Sequence, residues 1–254
     1  MAMRPESDPP VTSRPFQFGL SDLLVGCAVI ALLAGLLIPA IRAARSASRR
    51  MECSSNLYLI GFGVRNYHDT YKCLPFAYTT GPSGKPWHDW RVRLSPFLES
   101  NPFFGQYSFN EPWTGPRNRV IPGGLTHVYS CPVDTGKSPS DTSYLAVVDS
   151  TTIWPGEQTT RFADVTDGTS NTIMVVETVN SGIHWLEPRD FDMGVARLGV
   201  NPSPGPGIGS NHRGGANFGF ADGRVRFLSS DISPSVLESL LTKSGGEKVD
   251  LDAL

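Results

Sequence analysis

The chain has 254 residues, a formal net charge of −2 and 18% charged residues. This balance excludes a disordered polyelectrolyte, and it provides no basic excess of the kind that predicts a nucleic-acid partner. The 26 glycines and 21 prolines exceed average usage and predict many loops and turns, although no Gly-x-y period or internal repeat is present.

The first strong signal is an uncharged apolar segment at residues 23–41, which reads LLVGCAVIALLAGLLIPAI. As a helix it covers about 28 Å, close to the ~30 Å hydrocarbon thickness of a bilayer. It is longer than the apolar region of a secretory signal, and it leads into a second helical pattern instead of a cleavage site. The segment predicts a transmembrane helix, with a fully buried helix of a soluble protein as the alternative.

The helical pattern continues beyond the apolar segment. Small and then apolar residues recur at spacings of three and four, namely Ala40, Ala43, Ala47, Met51, Ser54, Leu57, Ile60, Val64 and Tyr67. The simplest interpretation is one helix from about Ser21 to about Asp69 that Pro39 kinks and whose second half docks on a globular domain. Asp22 is either a first-turn carboxylate favoured by the helix dipole or an acid at the membrane edge that awaits a cationic partner.

Strand patterns dominate the C-terminal half. They cover residues 143–148, 172–176, 216–221 and 224–228. Asp222-Gly223 separates the last two and predicts a hairpin with a type I′ turn. Ser233 suits an N-cap, Pro234 the first position of a closing helix, and Gly245 its end. The expected class is α+β, with a long helix packed on a loop-rich antiparallel β domain.

Residues 18–25, Phe-Gly-Leu-Ser-Asp-Leu-Leu-Val, resemble the start of type IV prepilins and type II secretion pseudopilins. The resemblance implies that Phe18 is the position that becomes the methylated N-terminus. It also places Asp22 where that family has a glutamate that pairs with a neighbour's amine, and Pro39 at the helix-kinking proline. Gln17 stands where prepilin peptidase requires glycine, so a processed filament subunit and an uncleaved membrane anchor both stay open.

A second resemblance extends over nearly the whole chain. His212 is followed, after nine residues, by Asp222-Gly223. This spacing is similar to the H-x9-D-G motif of a large family of bacterial prepilin-like proteins with a domain of unknown function. Further matching segments are residues 44–57, 66–71, 131–134, 166–172 and 245–247. The resemblance implies a leader or cytoplasmic tail at 1–17, a transmembrane helix at 18–41, its soluble continuation at 42–70, and a β domain with a C-terminal helix at 71–254.

The same resemblance implies a single-pass protein of the inner (cytoplasmic) membrane whose C-terminal domain is periplasmic or otherwise extracytoplasmic. Counting positive charges favours the opposite orientation. Arg4 and Arg14 precede the apolar segment, whereas four arginines follow it within nine residues.

The four cysteines form no C-x-x-C pair, so a zinc or redox motif is unsupported. Cys27 lies in the apolar segment. A bridge between Cys53 and Cys131 would staple the long helix to the globular domain, and it requires an oxidising compartment. Buried free thiols and pairing with Cys73 are the alternatives.

Asp164, Asp167 and Asn171 place hard oxygen ligands around a glycine turn, which suggests a calcium loop. The spacing is not that of an EF-hand, and an Asx-turn network before the next strand is the alternative.

His212 is expected to hold its loop by hydrogen bonds, with a metal-ligand or acid–base role beside Asp222 as the alternative. Glu177 is a further candidate, although its nearest histidine in the sequence, His184, makes no specific motif with it.

No nucleophile elbow, HExxH, P-loop or dinucleotide fingerprint occurs in the sequence. We therefore expect a non-enzymatic structural protein without a cofactor, whose partners are the lipid bilayer and other pilin-like subunits or secretion components, and not nucleic acid. One alternative is a membrane-tethered module that binds glycan or peptide through exposed aromatic residues. The other is a metal-dependent enzyme built around His212, Asp222 and Glu177.

Overall fold

The computed structural model describes residues 19–98, 104–121, 127–194, 198–202 and 207–251. Helix α1 spans Leu20–Tyr71, with Pro39 inside it. The chain divides into two compact units, Met1–Arg45 and Ser46–Leu254, so the division falls within α1. The expected single helix is present, one to two residues longer at each end than the sequence pattern predicts.

The part of α1 in the second unit buries one face. The buried residues are Cys53, Asn56, Leu57, Ile60, Gly61, Gly63, Val64 and Tyr67. The residues of the predicted apolar stripe are therefore buried from Leu57 onward. Met51 departs from it because its side chain is 68% exposed, and burial of the helix begins at Cys53.

A five-stranded sheet forms the centre of the second unit. Its strands are β3 (Tyr144–Val148), β4 (Ile173–Glu177), β5 (Phe191–Asp192), β6 (Gly215–Phe220) and β7 (Val225–Ser229). The spatial order is β5-β3-β4-β6-β7. Strand β5 pairs with β3 in parallel, whereas all other neighbours are antiparallel. The α+β class with a largely antiparallel sheet is confirmed, and the short β3–β5 pair adds one parallel neighbour.

Smaller elements surround this sheet. They are the hairpin β1 (Tyr78–Thr80) and β2 (Pro86–Asp89), helix α2 (Trp90–Leu94), helix α3 (Pro234–Leu241), and short 3₁₀ turns at Ser95–Phe97, Phe104–Gln106, Asn118–Val120 and Phe162–Asp164. The Oγ atom of Ser233 accepts a hydrogen bond from the backbone N–H of Val236 at 3.3 Å, which caps α3 as expected. The helix ends at Leu241, before the predicted Gly245.

The sheet carries an apolar core on each face. On one face, α1 packs against side chains such as Met174 and Val175. On the other face, α3 covers Phe218 and Phe220. Because both faces are covered, β4 and β6 are buried along their whole length, and a polar side chain at the end of either strand is held in a dry environment.

The turn between β6 and β7 differs from the predicted type. The backbone N–H of Gly223 donates to the carbonyl of Phe220 at 2.9 Å. Gly223 has φ +86°, whereas Asp222 has a negative φ. A type I′ turn needs positive φ at both central residues, so the hairpin closes through a turn followed by a left-handed glycine.

Candidate functional site

Four side chains of metal-ligand type meet at one point inside the second unit. Cys53 lies on the buried face of α1 and forms a disulfide with Cys131. Glu177 is the last residue of β4, and His212 lies in the loop before β6. All four residues are buried, and one ligand atom from each lies within 4.8 Å of the others.

His212 lies against both the disulfide and the carboxylate. Its Nε2 atom is 3.6 Å from Sγ of Cys131 and 3.8 Å from Oε1 of Glu177. The backbone N–H of His212 donates to Oγ of Ser210, which in turn donates to the carbonyl of Gly215. These bonds fix the loop at the start of β6 through the Ser210 hydroxyl and the backbone of His212, and not through the imidazole.

Glu177 is held by the neighbouring strand. Its carboxylate accepts the backbone N–H of Asn217 at 2.6 Å and the side-chain amide of Asn217 at 3.1 Å. Burial raises the pKa of Glu177 to about 7, although both Asn217 bonds act in the opposite direction. Burial also lowers the pKa of His212, and the positive charge of Arg50 lowers it further. At neutral pH the site therefore favours a neutral imidazole beside a carboxyl that is partly protonated.

The two halves of the H-x9-D-G spacing lie at opposite ends of β6. His212 precedes the strand and Asp222 follows it. At about 3.3 Å per residue, the six residues of β6 separate them by roughly 20 Å. The alternative in which His212 acts beside Asp222 is therefore not formed, and the imidazole lies beside Glu177 instead.

Asp222 and Gly223 have a separate role at the hairpin turn. The guanidinium of Arg65 on α1 donates to the carbonyl of Asp222 at 3.1 Å. A Cβ atom built on Gly61 of α1 would lie 3.4 Å from Cα of Gly223, so the two glycines permit a close approach of helix and turn. The Asp-Gly pair thus docks β6 and β7 on α1.

The arrangement around Glu177 also differs from the His184 pairing considered above. Nδ1 of His184 accepts the backbone N–H of Leu186 at 3.2 Å, and its ring stacks on Trp113. His184 therefore serves its own loop, and His212 is the histidine that faces Glu177.

The three residues of the predicted calcium loop have partners within the chain. Asp164 accepts from the guanidinium and backbone N–H of Arg161. Asp167 accepts from the backbone N–H groups of Gly245 and Gly246 at 2.6 and 2.9 Å. Calcium at this loop stays a prediction that these contacts do not favour, because both carboxylates already have donors.

The amide of Asn171 completes the same loop by donating to the carbonyl of Asp167 at 3.4 Å. Gly245 thus ties the C-terminal segment to the Asp167 loop, which is a different role from the predicted helix stop. The 166–172 and 245–247 segments, which the family resemblance singles out separately, meet here.

The positions predicted for processing and assembly are Gln17, Phe18, Asp22 and Pro39. Gln17 and Phe18 lie outside the described residues. A carboxylate oxygen of Asp22 accepts the backbone N–H of Gly19 at 3.0 Å, so Asp22 caps the start of α1 while its side chain stays exposed. Pro39 lies within the continuous helix.

Sequence reasoning missed a buried ionic cluster beneath α2. The guanidinium of Arg91 donates to Asp89 at 2.6 Å and to Asp190 at 2.5 Å. Asp190 also accepts the backbone N–H of Ala146 and the indole N–H of Trp90. Burial raises the pKa of Asp89 to about 7 and raises that of Asp190 as well. The only signal in the sequence is that charged residues interrupt an aromatic segment.

Comparison with known proteins places the chain in a family. A model of the family described as a protein of unknown function (DUF1559) matches residues 42–152, 133–194 and 197–235. The chain belongs to the DUF1559 family. The matched ranges contain Cys53, Cys131, Glu177 and His212, whereas residues 18–25 precede them. Comparisons with curated proteins and with solved structures gave no match.

The raised pKa of Glu177 predicts a pH-dependent stability difference in the variant Glu177→Gln. The folded carboxyl binds its proton more tightly than the unfolded one, whose ordinary pKa is 4.5. The stabilising contribution of this carboxyl to the free energy of unfolding is therefore fully present below pH 4.5, and it is lost as the pH rises to about 7. Since glutamine does not titrate, the unfolding free energy of the variant relative to wild type should rise by about 3 kcal/mol across this window.

Denaturation at several pH values, followed by tryptophan fluorescence, measures this difference. All five tryptophans lie between residues 87 and 185, so they report on the second unit. Glu238→Gln changes an exposed carboxylate on α3 and controls for the lost charge. A stability difference between Glu177→Gln and wild type that is constant with pH would show that folding does not raise the pKa of Glu177.

Proposed function

We propose that this DUF1559 protein is a non-enzymatic, pilin-like or pseudopilin-like membrane anchor of the cell envelope that takes part in a filament or secretion assembly. The observation that carries the proposal is the first part of α1, whose large apolar side chains are exposed on every face of the helix. Among the described residues, α1 is the helix with the length and composition to cross a membrane. Membership in a family found in pilin-like proteins supports the same role.

Exposure of this kind is costly in water. Ile30, Leu32, Leu33 and Ile38 are between 49% and 67% exposed, and at about 100° per residue their side chains are distributed around the whole helix. A helix of a soluble protein keeps only one apolar stripe and buries it. Lipid supplies the missing apolar environment, because a helix bonds its own backbone polar groups internally, except those at its ends and the carbonyl that loses its donor at Pro39.

Charges placed in this segment should detach the protein from the membrane. Arginine near the middle of a membrane helix costs about 2.5–3.5 kcal/mol each, so Leu32→Arg with Leu36→Arg opposes insertion by roughly 5–7 kcal/mol. We expect wild type in the membrane pellet after carbonate washing, released only by detergent, and the double variant mostly outside it. The measurement is an immunoblot of washed membranes.

The matched control places the same charges on the same helix outside the apolar segment. Met51 and Tyr58 are exposed residues of α1 in the second unit, so Met51→Arg with Tyr58→Arg should leave the protein in the membrane pellet. Carbonate extraction of the wild-type chain, or full membrane retention of the Leu32/Leu36 variant, would exclude the anchor.

Inner-membrane placement with residues 46–254 outside the cytoplasm completes the proposal. The Cys53–Cys131 disulfide supports it, because disulfides persist in oxidising compartments. Protease added to intact spheroplasts should degrade these residues and leave a cytoplasmic marker intact. Protection of residues 46–254 would reverse the orientation, in agreement with the arginine count.

The mature N-terminus distinguishes a polymer subunit from a static anchor. Intact mass spectrometry of the native protein is expected to show either Phe18, with or without a methyl group, or the leader still attached. A chain that starts at Phe18 favours filament assembly with Asp22 facing a neighbour's amine. Retention of residues 1–17 leaves the anchored version and excludes the processed one.

One observation favours the ligand-binding alternative. A cleft of about 500 Å³ in the second unit is lined by residues of β3 and β5 together with Tyr78, Ser181, Arg189 and Asp190. Arrays of envelope glycans and peptides, probed with the detergent-solubilised chain, test it. Binding that Arg189→Ala abolishes would support a tethered receptor, and failure to bind any array member would count against it.

A further inference from the structure

The disulfide between Cys53 and Cys131 has two neighbours that a structural disulfide does not need. Nε2 of His212 lies 3.6 Å from Sγ of Cys131, and Oε1 of Glu177 lies 3.8 Å from the same Nε2 atom. All four residues are at most 6% exposed. Burying a carboxylate and an imidazole is costly, so their presence against the sulfur atoms points to chemistry in which all four groups take part.

We propose that Cys53, Cys131, Glu177 and His212 form a zinc-binding site in the reduced protein, so that the same four residues hold either a disulfide or a Zn²⁺ ion. The proposal is independent of whether the chain is a filament subunit or a static anchor. It assigns the histidine of the H-x9-D-G spacing a role as a metal ligand.

The distances suit tetrahedral zinc. With Zn–S near 2.3 Å and Zn–N or Zn–O near 2.0–2.1 Å, tetrahedral geometry requires S···N separations of about 3.5 Å and N···O separations of about 3.3 Å. The Sγ–Nε2 distance of Cys131 and His212 is 3.6 Å, and the Nε2–Oε1 distance of His212 and Glu177 is 3.8 Å. The main movement on reduction is therefore a separation of the two sulfur atoms to about 3.8 Å.

The ligand chemistry selects the metal. Two thiolates, one imidazole and one carboxylate suit Zn²⁺, whereas Ca²⁺ and Mg²⁺ take oxygen ligands. The burial of all four ligands leaves no open coordination position, which is typical of structural zinc sites.

The surroundings hold the ligands in place. Asn217 donates two hydrogen bonds to Glu177, which orients the carboxylate as a second-shell partner does. Ser210 fixes the backbone of His212. The ligand side chains are thus positioned before the ion arrives.

Conversion of the disulfide state to the zinc state requires two electrons, which a dithiol reductant supplies. The dithiol reduces the Cys53–Cys131 bond and becomes a disulfide itself. The two released thiols then bind Zn²⁺ as thiolates and give up two protons to solvent. Either state ties residue 53 of α1 to residue 131, so the fold keeps this cross-link when the redox conditions change.

Zinc analysis of the full chain in detergent tests the proposal. The chain is purified with a phosphine reductant present throughout, so that the disulfide does not form, and a second sample is oxidised. Each is given Zn²⁺ alone, desalted and analysed for zinc and free thiols. We expect about one tightly bound zinc per reduced chain and almost none per oxidised chain. Co²⁺ in place of zinc should give the absorption of a tetrahedral thiolate site.

Variants distinguish this site from adventitious binding. His212→Gln and Glu177→Gln should each weaken zinc binding at least tenfold, and Asn217→Ala, which leaves all four ligands in place, should weaken it by about 10–100-fold. The controls are His127→Gln, an exposed histidine, and Cys73→Ser, a free cysteine outside the cluster. The oxidised form of each variant must show wild-type tryptophan fluorescence.

Three results would overturn the assignment. The first is a reduced wild-type chain that binds no zinc. The second is binding by His212→Gln and Glu177→Gln that equals that of His127→Gln. The third is loss of zinc in Cys73→Ser, which would place the thiolate ligand elsewhere.

Discussion

Replacement of Arg91 by methionine should lower the unfolding free energy by about 3–5 kcal/mol at neutral pH. The guanidinium lies between the carboxylates of Asp89 and Asp190, and the side chains of all three residues are almost fully buried. Methionine keeps most of the apolar stem but leaves two carboxyl groups in a dry site without a cation. Removal of one partner is costly for this reason, whereas the intact cluster contributes little net stability.

The loss of stability caused by Arg91→Met should increase with pH. Burial already raises the pKa of Asp89 to about 7 and raises that of Asp190, and loss of the Arg91 charge raises both further. Acids whose folded pKa lies above the unfolded value lose stability as the pH rises through the folded value. The destabilisation by Arg91→Met should therefore be larger at pH 8.5 than at pH 5.5.

Two controls separate uncompensated charge from lost packing. Arg189→Met removes a guanidinium that is half exposed beside Glu187, and it should change the stability by less than about 1 kcal/mol. The triple variant Arg91→Met, Asp89→Asn, Asp190→Asn removes all three charges and should recover part of the loss. If the triple variant is less stable than Arg91→Met alone, the cluster stabilises the fold by direct attraction and the argument from desolvation is wrong.

The sequence predicts those elements whose signal is local. Helix α1 follows from an uninterrupted apolar segment and a stripe at helical spacing, and α3 follows from the Ser233-Pro234 start. The β6–β7 hairpin follows from alternation on both sides of Asp222-Gly223. In each case neighbouring residues in the chain carry the whole pattern.

Other elements exist only because of distant contacts. Strand β5 has two residues, Phe191 and Asp192, and no periodicity can be read from so short a segment. Its parallel pairing with Val147 and Val148 depends on the chain that joins them. The turn at Gly223 also lies close to Gly61 of α1, a contact between residues far apart in the chain that the local Asp-Gly pattern does not contain.

The candidate site was only partly predictable. His212 and Glu177 are each conspicuous in the sequence, the first by its spacing to Asp-Gly and the second as a charge ending an apolar strand. Their pairing was not predictable, because it arises where β4 and β6 pair side by side and the His212 loop folds back. The register of these strands places Val176 opposite Phe218, and the same register brings Glu177, at the end of β4, beside Asn217 of β6.

Replacement of both Cys53 and Cys131 by alanine should lower the unfolding free energy by about 4–5 kcal/mol in the oxidised protein. The disulfide joins residues 78 positions apart, and the chain-entropy relation gives this magnitude for a loop of that length. Denaturation in detergent with a metal chelator present, followed by tryptophan fluorescence, measures the difference without any contribution from zinc.

Cys73→Ala is the matched control, because Cys73 is free and half-buried. This variant should lower the free energy of unfolding much less than the double variant does. A small loss in the double variant would mean that the unfolded chain already keeps residues 53 and 131 close together. A loss well above about 5 kcal/mol would mean that the sulfur atoms also compensate the buried Glu177 and His212. In that case Glu177→Gln should be less harmful in the double variant than in wild type, since the two changes would remove parts of the same interaction.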